Sequence, residues 1–161
     1  MEMNDEGILL MRLTGLELPD LYHFDSGDAE TNNYLKTEAY EEQERGLNNN
    51  LLLYYHGELA AFCSLCCDSL RLNKDEKTLS IPAIKIARMG KEVRFKDYDF
   101  DKILMDAIKA IAYELCVTKV GVRYLTVDAT AAQEEYFAKF GFVRNQTESS
   151  DGLISMRADV L

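Results

Sequence analysis

Three aspartates, Asp97, Asp99 and Asp101, alternate along Lys96-Asp97-Tyr98-Asp99-Phe100-Asp101, just ahead of a segment with helical apolar spacing. Carboxylates in that position could cap the helix, with Asp101 as N-cap and Asp99 as a solvated turn residue. They also copy the opening of a calcium loop, but Lys102 stands where that loop requires glycine and Ile108 where it requires its bidentate glutamate. No metal is expected. Arg88, Lys91, Arg94 and Lys96 form a basic cluster, either a solvated strand end or a surface that faces phosphate or RNA. Cys63-x-x-Cys66-Cys67 invites a zinc or redox reading, yet in a strand positions 63 and 66 point to opposite faces, and only His23 and His56 are available to complete a site. The thiols therefore read as structural. His56 reads as a hairpin-turn residue and His23 as an isolated loop residue. No Ser-His-Asp order, Walker loop or paired-carboxylate hydrolase pattern stands out.

The elements that must carry these groups are legible in the spacing. The chain has 161 residues, 47% hydrophobic and 29% charged, enough for one domain over residues 1–161 with a sizeable core. Residues 8–13 read as a short first strand and 14–24 as an irregular connection with Gly15 and Pro19. Asp28 or Thr31 can cap an acidic helix that carries Glu38, Glu41, Glu42 and Glu44 and stops at Gly46, with Leu35 and Ala39 as its buried stripe. Residues 51–55 and 59–65 read as a hairpin, 71–78 as a charged exposed loop, and 81–89 as a strand with Pro82 at its start or on an unpaired edge. Ile103, Leu104, Ala107, Ile108, Ile111 and Leu115 predict a helix over 102–115. A strand over 124–127, a helix over 131–140 ending at Gly141, and strands at 142–143 and 154–160 complete a mixed α/β sheet with helices on both faces.

Composition narrows the function. The 28 acids against 18 bases give a net charge of −10, and residues 1–50 hold 12 acids and 3 bases of this total. That balance argues against nucleic-acid binding, which relies on clustered Lys and Arg. No apolar run approaches the roughly 20 residues of a membrane span. The acidic start, with Glu2, Asp5 and Glu6, does not fit a secretory or transit signal, so a cytoplasmic protein with reduced cysteines is expected.

The element order and particular residues resemble the GNAT superfamily of acetyl-CoA-dependent N-acetyltransferases. Phe24-Asp25-Ser26-Gly27 followed by Asn32-Asn33-Tyr34-Leu35 is similar to the opening of its toxin-type branch, whose members acetylate aminoacyl-tRNA. Pro82-Ala83-Ile84-Lys85-Ile86-Ala87-Arg88 resembles that branch's strand before the cofactor loop. Val127-Asp128-Ala129 and Lys139-Phe140-Gly141-Phe142 resemble its later strand and the end of its late helix. The resemblance implies a GNAT-like fold with acetyl-CoA held by Ile86, Ala87, Arg88 and Met89 and by a loop at Lys96, Asp97, Asp99, Asp101 and Lys102.

Two positions depart from the family's chemistry. The family loop uses glycines, whose backbone N–H groups and following helix N-terminus cradle the pyrophosphate. Here every such glycine position is an aspartate, and like charges about 4 Å apart cost about 1 kcal/mol each in water and more where water is excluded. The family's general acid is a tyrosine that protonates the leaving thiolate; the matched residue is Phe137. Tyr136 is the substitute candidate, one residue and about 100° away around the helix. Losing a general acid alone costs roughly 10²–10⁴ in rate. The first expectation is therefore a catalytically inactive or impaired pseudo-acetyltransferase that needs no cofactor and binds a protein partner, cationic in character to suit the acidic first third. The alternative is an active acetyl-CoA-dependent N-acetyltransferase acting on an amine of a small molecule, protein or aminoacyl-tRNA. A homodimer is left open, and a toxin–antitoxin, mobile-element or phage-defence setting is implied by the branch alone.

Overall fold

The computed structural model describes residues 6–145 and 150–161. The elements run β1 (Ile8–Arg12), α1 (Leu18–His23), α2 (Ala29–Thr37), α3 (Ala39–Glu44), β2 (Asn49–Tyr55), β3 (Glu58–Lys74), β4 (Lys77–Lys91), α4 (Phe100–Thr118), β5 (Tyr124–Ala129), α5 (Glu134–Ala138), β6 (Val143–Arg144) and β7 (Ile154–Asp159), with short 3-10 turns between. The strands form one mixed seven-stranded sheet in the order β1-β2-β3-β4-β5-β7-β6. β4 pairs with β5 in parallel, through Ala83–Tyr124, Ile84–Leu125 and Lys85–Thr126 only. The chain separates into two compact units, Met1–Cys66 with Ala87–Asp106 and Cys67–Ile86 with Ala107–Leu161.

The first unit is built on an apolar cluster that joins Leu21, Phe24, Tyr34, Leu35 and Ala39 of the helical region to Leu52, Tyr54, Leu59 and Phe62 of the strands. The segment expected to be irregular contains α1, because Pro19 sits at the start of that helix, where no backbone N–H is needed. The single acidic helix divides at Glu38, whose N–H still bonds to the Tyr34 carbonyl at 2.9 Å. Asp28 caps α2 by accepting from the Thr31 N–H at 2.9 Å, and the Thr31 hydroxyl at 2.7 Å together with that N–H holds its carboxyl below the usual carboxylate range. Buried Gln43 and Asn50 stitch α3 to the strands: the Gln43 amide donates to the Leu13 carbonyl just after β1, and the Asn50 amide of β2 donates to the Ala39 carbonyl.

In the second unit the expected charged loop at 71–78 is a continuation of the hairpin. β3 reaches Lys74, β4 starts at Lys77, and Asp75 and Glu76 make the two-residue turn with φ of 51° and 64°. Both are in the left-handed region that such hairpin turns require. Pro82 lies inside β4 and its carbonyl accepts the Arg123 N–H at 2.9 Å. The 131–140 helix is shorter than its apolar pattern suggests. A 3-10 turn capped reciprocally by Thr130 and Gln133 leads into α5, and Gly141 at φ 92° follows it.

Among the cysteines, Cys63 is fully buried, Cys66 half-buried and Cys67 exposed. Burial pushes the Cys63 thiol up to about 12, so it holds almost no thiolate at neutral pH. A thiol reagent applied to the folded protein at pH 8 is expected to label Cys67 and spare Cys63, and Cys63 should react only on unfolding. Rapid native labelling of Cys63, read by peptide mass spectrometry, would show that β3 opens locally.

Candidate active site

The cofactor-loop positions lie where β4 ends and α4 begins, in the first unit. Arg88 on β4 lies over the Tyr34 ring at 4.9 Å and pairs with Glu30 at 3.2 Å. The Tyr34 hydroxyl is buried against Ser64 at 2.8 Å, and burial raises its pKa. Arg88 is thus fixed on the α2 side by its neighbours. Gly90 permits this packing, since a Cβ there would come within 2.9 Å of the Phe62 ring and 3.1 Å of Thr31.

Beyond β4 the loop is tied down at three points. Glu92, only 4% exposed, accepts the Asp25 N–H at 2.6 Å and the Arg94 guanidinium at 3.1 Å, while the Val93 N–H donates to the Asp25 carbonyl at 2.9 Å. The Phe24-Asp25-Ser26-Gly27 segment is therefore bolted to the end of β4 by a buried carboxylate. Asp25 itself takes the Gly27 N–H and the Asn32 amide, which hold its carboxyl below the usual range. The second tie is Lys91, whose ammonium donates to the Tyr98 carbonyl at 2.8 Å and to the Asp101 carboxylate at 3.3 Å. The third is a four-ring cluster: Tyr55 from β2 meets Phe95, Tyr98 and Phe100 with centroids 5.0–5.8 Å apart, and Tyr98 stacks on Phe100 at 5.0 Å.

These ties revise the capping expectation. The first α4 bond runs from the Ile103 N–H to the Asp99 carbonyl, so Asp99 is the N-cap residue and Asp101 lies in the first turn. Asp101 is not a solvated cap; it is largely neutralised by Lys91. Asp97 and Asp99 remain exposed, as does Lys96, and Lys102 pairs with Asp106 at 3.0 Å along the helix. Among the described residues no group of three or more His, Cys, Asp and Glu side chains is placed to hold a metal. Ile86 is buried and Met89 half-buried, while Ala87 is exposed.

The positions matched to the general acid lie in the second unit. Phe137 is 5% exposed and packs edge-on against Tyr136 at 5.2 Å and Phe142 at 5.6 Å. Tyr136 is half-buried and also meets Phe140 at 5.3 Å. On the β4–β5 pair, Lys85 bonds Asp128 at 2.6 Å and Thr126 donates to Asp68 at 2.6 Å, placing two carboxylates on one sheet face beside the last paired residues.

Sequence reasoning missed Glu92, the aromatic cluster and Lys91 as a loop clasp. Glu92 reads as one charge in a mixed run, and its only signal was its place after a β4-like strand. The aromatic cluster joins residues from two distant segments, which no local pattern reveals.

No protein-family profile and no curated protein sequence matches the chain. Solved structures do. A tyrosine-to-phenylalanine mutant of the toxin AtaT, bound to the C-terminus of the antitoxin AtaR and acetyl-CoA, is 16% identical with a TM-score of 0.77, over 96% of this chain and 94% of that one. AtaT complexed with acetyl-methionyl-tRNAfMet is 18% identical with a TM-score of 0.79, over 91% and 93%. A tyrosine-to-phenylalanine mutant of KacT is 14% identical with a TM-score of 0.79, over 94% and 95%. The strand order, the β4–loop–α4 junction and this likeness over nearly the whole length give the chain the GNAT fold, in the form found in the toxin AtaT and in KacT.

Proposed function

We propose that the chain, as one cytoplasmic domain, is an acetyl-CoA-dependent N-acetyltransferase with a rebuilt donor loop, acting on an amine carried by a larger partner such as an aminoacyl-tRNA or a protein. The observation that carries this reading is the strand register. β4 is paired with β5 only as far as Lys85, yet it continues extended to Lys91. Backbone donors and acceptors over 86–91 suit an extended amide-bearing arm, the chemistry of pantetheine, because such an arm can bond to a strand edge. The fold supports it too: AtaT has been solved with acetyl-CoA and with an acetylated methionyl-tRNA.

The residues fit the two ends of the donor unequally. Ile86, Ala87, Arg88 and Met89 offer strand backbone and an anchored guanidinium. Lys91, Arg94, Lys96 and Lys102 supply cations near the phosphates, whereas Asp97 and Asp99 oppose them. With Lys91 on Asp101, one of the three carboxylates is already compensated. Acetyl-CoA supplies the activated acyl group. On transfer the acceptor nitrogen would replace sulfur at the acetyl carbonyl carbon and give up one proton, and the departing thiolate would take one up. Phe137 has none to give, and Tyr136 is the nearest phenol in sequence. Phenylalanine at a GNAT tyrosine need not prevent donor binding, since the AtaT tyrosine-to-phenylalanine mutant was solved with acetyl-CoA.

Radiolabelled acetyl-CoA offered with aminoacyl-tRNA and with a lysine-bearing peptide tests this reading. Label should reach an amine of one of them, and Tyr136→Phe should slow the transfer by roughly 10²-fold to 10⁴-fold. Label remaining wholly in the thioester with every amine would favour the second reading, a GNAT fold that binds a protein partner without catalysis. Buried Phe137 and the two exposed aspartates support that second reading.

A further inference from the structure

We propose that the α1 face of the first unit docks a basic, amphipathic segment of a protein partner, with one lysine or arginine side chain of that segment seated in the pocket between α1 and the Gly57 turn. This surface meets the donor loop only at Glu92 and Arg94, and the proposal stands whether or not the protein turns over.

The pocket has a volume of about 180 Å³ and opens between α1, the β2–β3 turn and the residues after β4. Phe24 and Leu59 give it an apolar floor, and Asp20, Glu58, Glu92 and Arg94 surround it. Three carboxylates against one guanidinium leave an excess of negative charge. The bonds already made do not exhaust them. Asp20 accepts the Tyr54 hydroxyl at 2.7 Å, and Glu58 accepts Arg94 at 3.3 Å through one oxygen. A carboxylate offers about four lone-pair sites, so both keep capacity for an incoming cation. An aliphatic stem ending in an ammonium or guanidinium matches an apolar floor with a charged rim.

The neighbouring surface asks for more than charge. Leu16 is 89% exposed, Leu18 41% and Tyr22 64%. Leu18 and Tyr22 lie four apart on α1 and so share a face. Around them, residues 16–46 carry nine acids and two bases. That field repels nucleic acid and anionic lipid, and it repels a second copy of the same face. A partner that covers the apolar trio must therefore be both cationic and apolar on one side, as a basic amphipathic helix is.

Calorimetry on the full chain tests this, with a synthetic amphipathic Leu/Lys helical peptide as probe and a scrambled peptide of the same composition as control. The amphipathic peptide should bind about tenfold or more tightly than the scrambled one. The double change Asp20→Asn with Glu58→Gln, and separately Leu18→Ser with Tyr22→Ser, should each weaken it by about tenfold. All four side chains are at the surface, so melting curves should be unchanged, and acetyl-CoA titrations on the Leu18→Ser, Tyr22→Ser variant should match the parent whatever the parent does. Equal binding of the scrambled peptide would overturn the proposal, because it would mean diffuse charge attraction only. So would unchanged affinity in both double variants, or sedimentation showing that Leu18 and Tyr22 close a homodimer that the peptide does not disrupt.

Discussion

Acetyl-CoA affinity is expected to rise roughly a hundredfold when Asp97, Asp99 and Asp101 are replaced together by glycine. Each carboxylate opposes the diphosphate by about 1 kcal/mol in a solvated loop, and three such terms sum to about 3 kcal/mol. The Asp101 contribution survives its pairing: removing it releases the Lys91 ammonium, now bonded at 3.3 Å, to face the phosphates. Glycine adds backbone access at the α4 N-terminus, where free N–H groups attract anions. The exchange costs helix stability, about 1 kcal/mol for glycine in the first turn, so the melting temperature should fall slightly while affinity rises. Unchanged affinity would mean that these three residues do not face the diphosphate, and that the alignment through Arg88 and α4 is wrong. Lys91→Gln should act in the opposite direction, because it removes a cation from the loop and the Lys91–Asp101 ion pair with it.

Phe62→Ala is expected to cost about 3–5 kcal/mol, the range for truncating a fully buried phenylalanine. Phe62 is 0% exposed and meets the Phe24 ring edge-on at 5.6 Å and the Tyr34 ring in a stack at 6.3 Å. It also fills the space that Gly90 leaves on β4. One ring therefore ties the 24–27 segment, α2 and the end of β4 into a single packed layer. Its removal should lower the melting temperature by roughly 10 °C for a chain of this size. Phe62→Leu should lose far less, since it keeps most of the volume. Scanning calorimetry decides the point; a fall of only a degree or two in Phe62→Ala would show that the cluster does not hold the unit together. Any acetyl-CoA binding should weaken in parallel, because Arg88 rests on Tyr34.

How far the sequence foretells this structure depends on where each signal resides. α4 was legible because Ile103, Leu104, Ala107, Ile108, Ile111 and Leu115 recur at helical spacing, and Leu104 and Ile108 at the centre of that stripe are fully buried. The Asp28 cap was legible for a local reason as well, its side chain reaching only to Thr31. α1 was not, because Gly15 and Pro19 are breakers in most contexts and only the position of Pro19 at a helix start makes it compatible. The far half of the β3–β4 hairpin was hidden for a different reason. With residues 73–80 exposed on both faces it needs no alternation of apolar and polar residues, and its turn uses Asp75-Glu76 where Asn-Gly is the usual sign. At the candidate site the aspartates and Phe137 were visible as departures from a resemblance. Their surroundings were not: Glu92 has no local pattern that marks it and is a buried clamp, and Lys91 reads as part of a basic cluster and is a clasp on the loop.

The −10 charge has also acquired a location. The first unit holds 18 acids and 8 bases, and the second holds 10 of each. The acidity thus belongs wholly to the unit that carries the altered loop and the α1 face. Any anionic donor must bind against that field, helped by the local cations Arg88, Lys91, Arg94, Lys96 and Lys102.

Titration of the protein with acetyl-CoA in a calorimeter at low ionic strength tests the central claim most directly. A rebuilt but working donor site predicts a saturable heat with one equivalent bound at micromolar to sub-millimolar affinity, weakening as salt is added. No heat at millimolar acetyl-CoA would contradict it and leave the fold as a partner-binding scaffold.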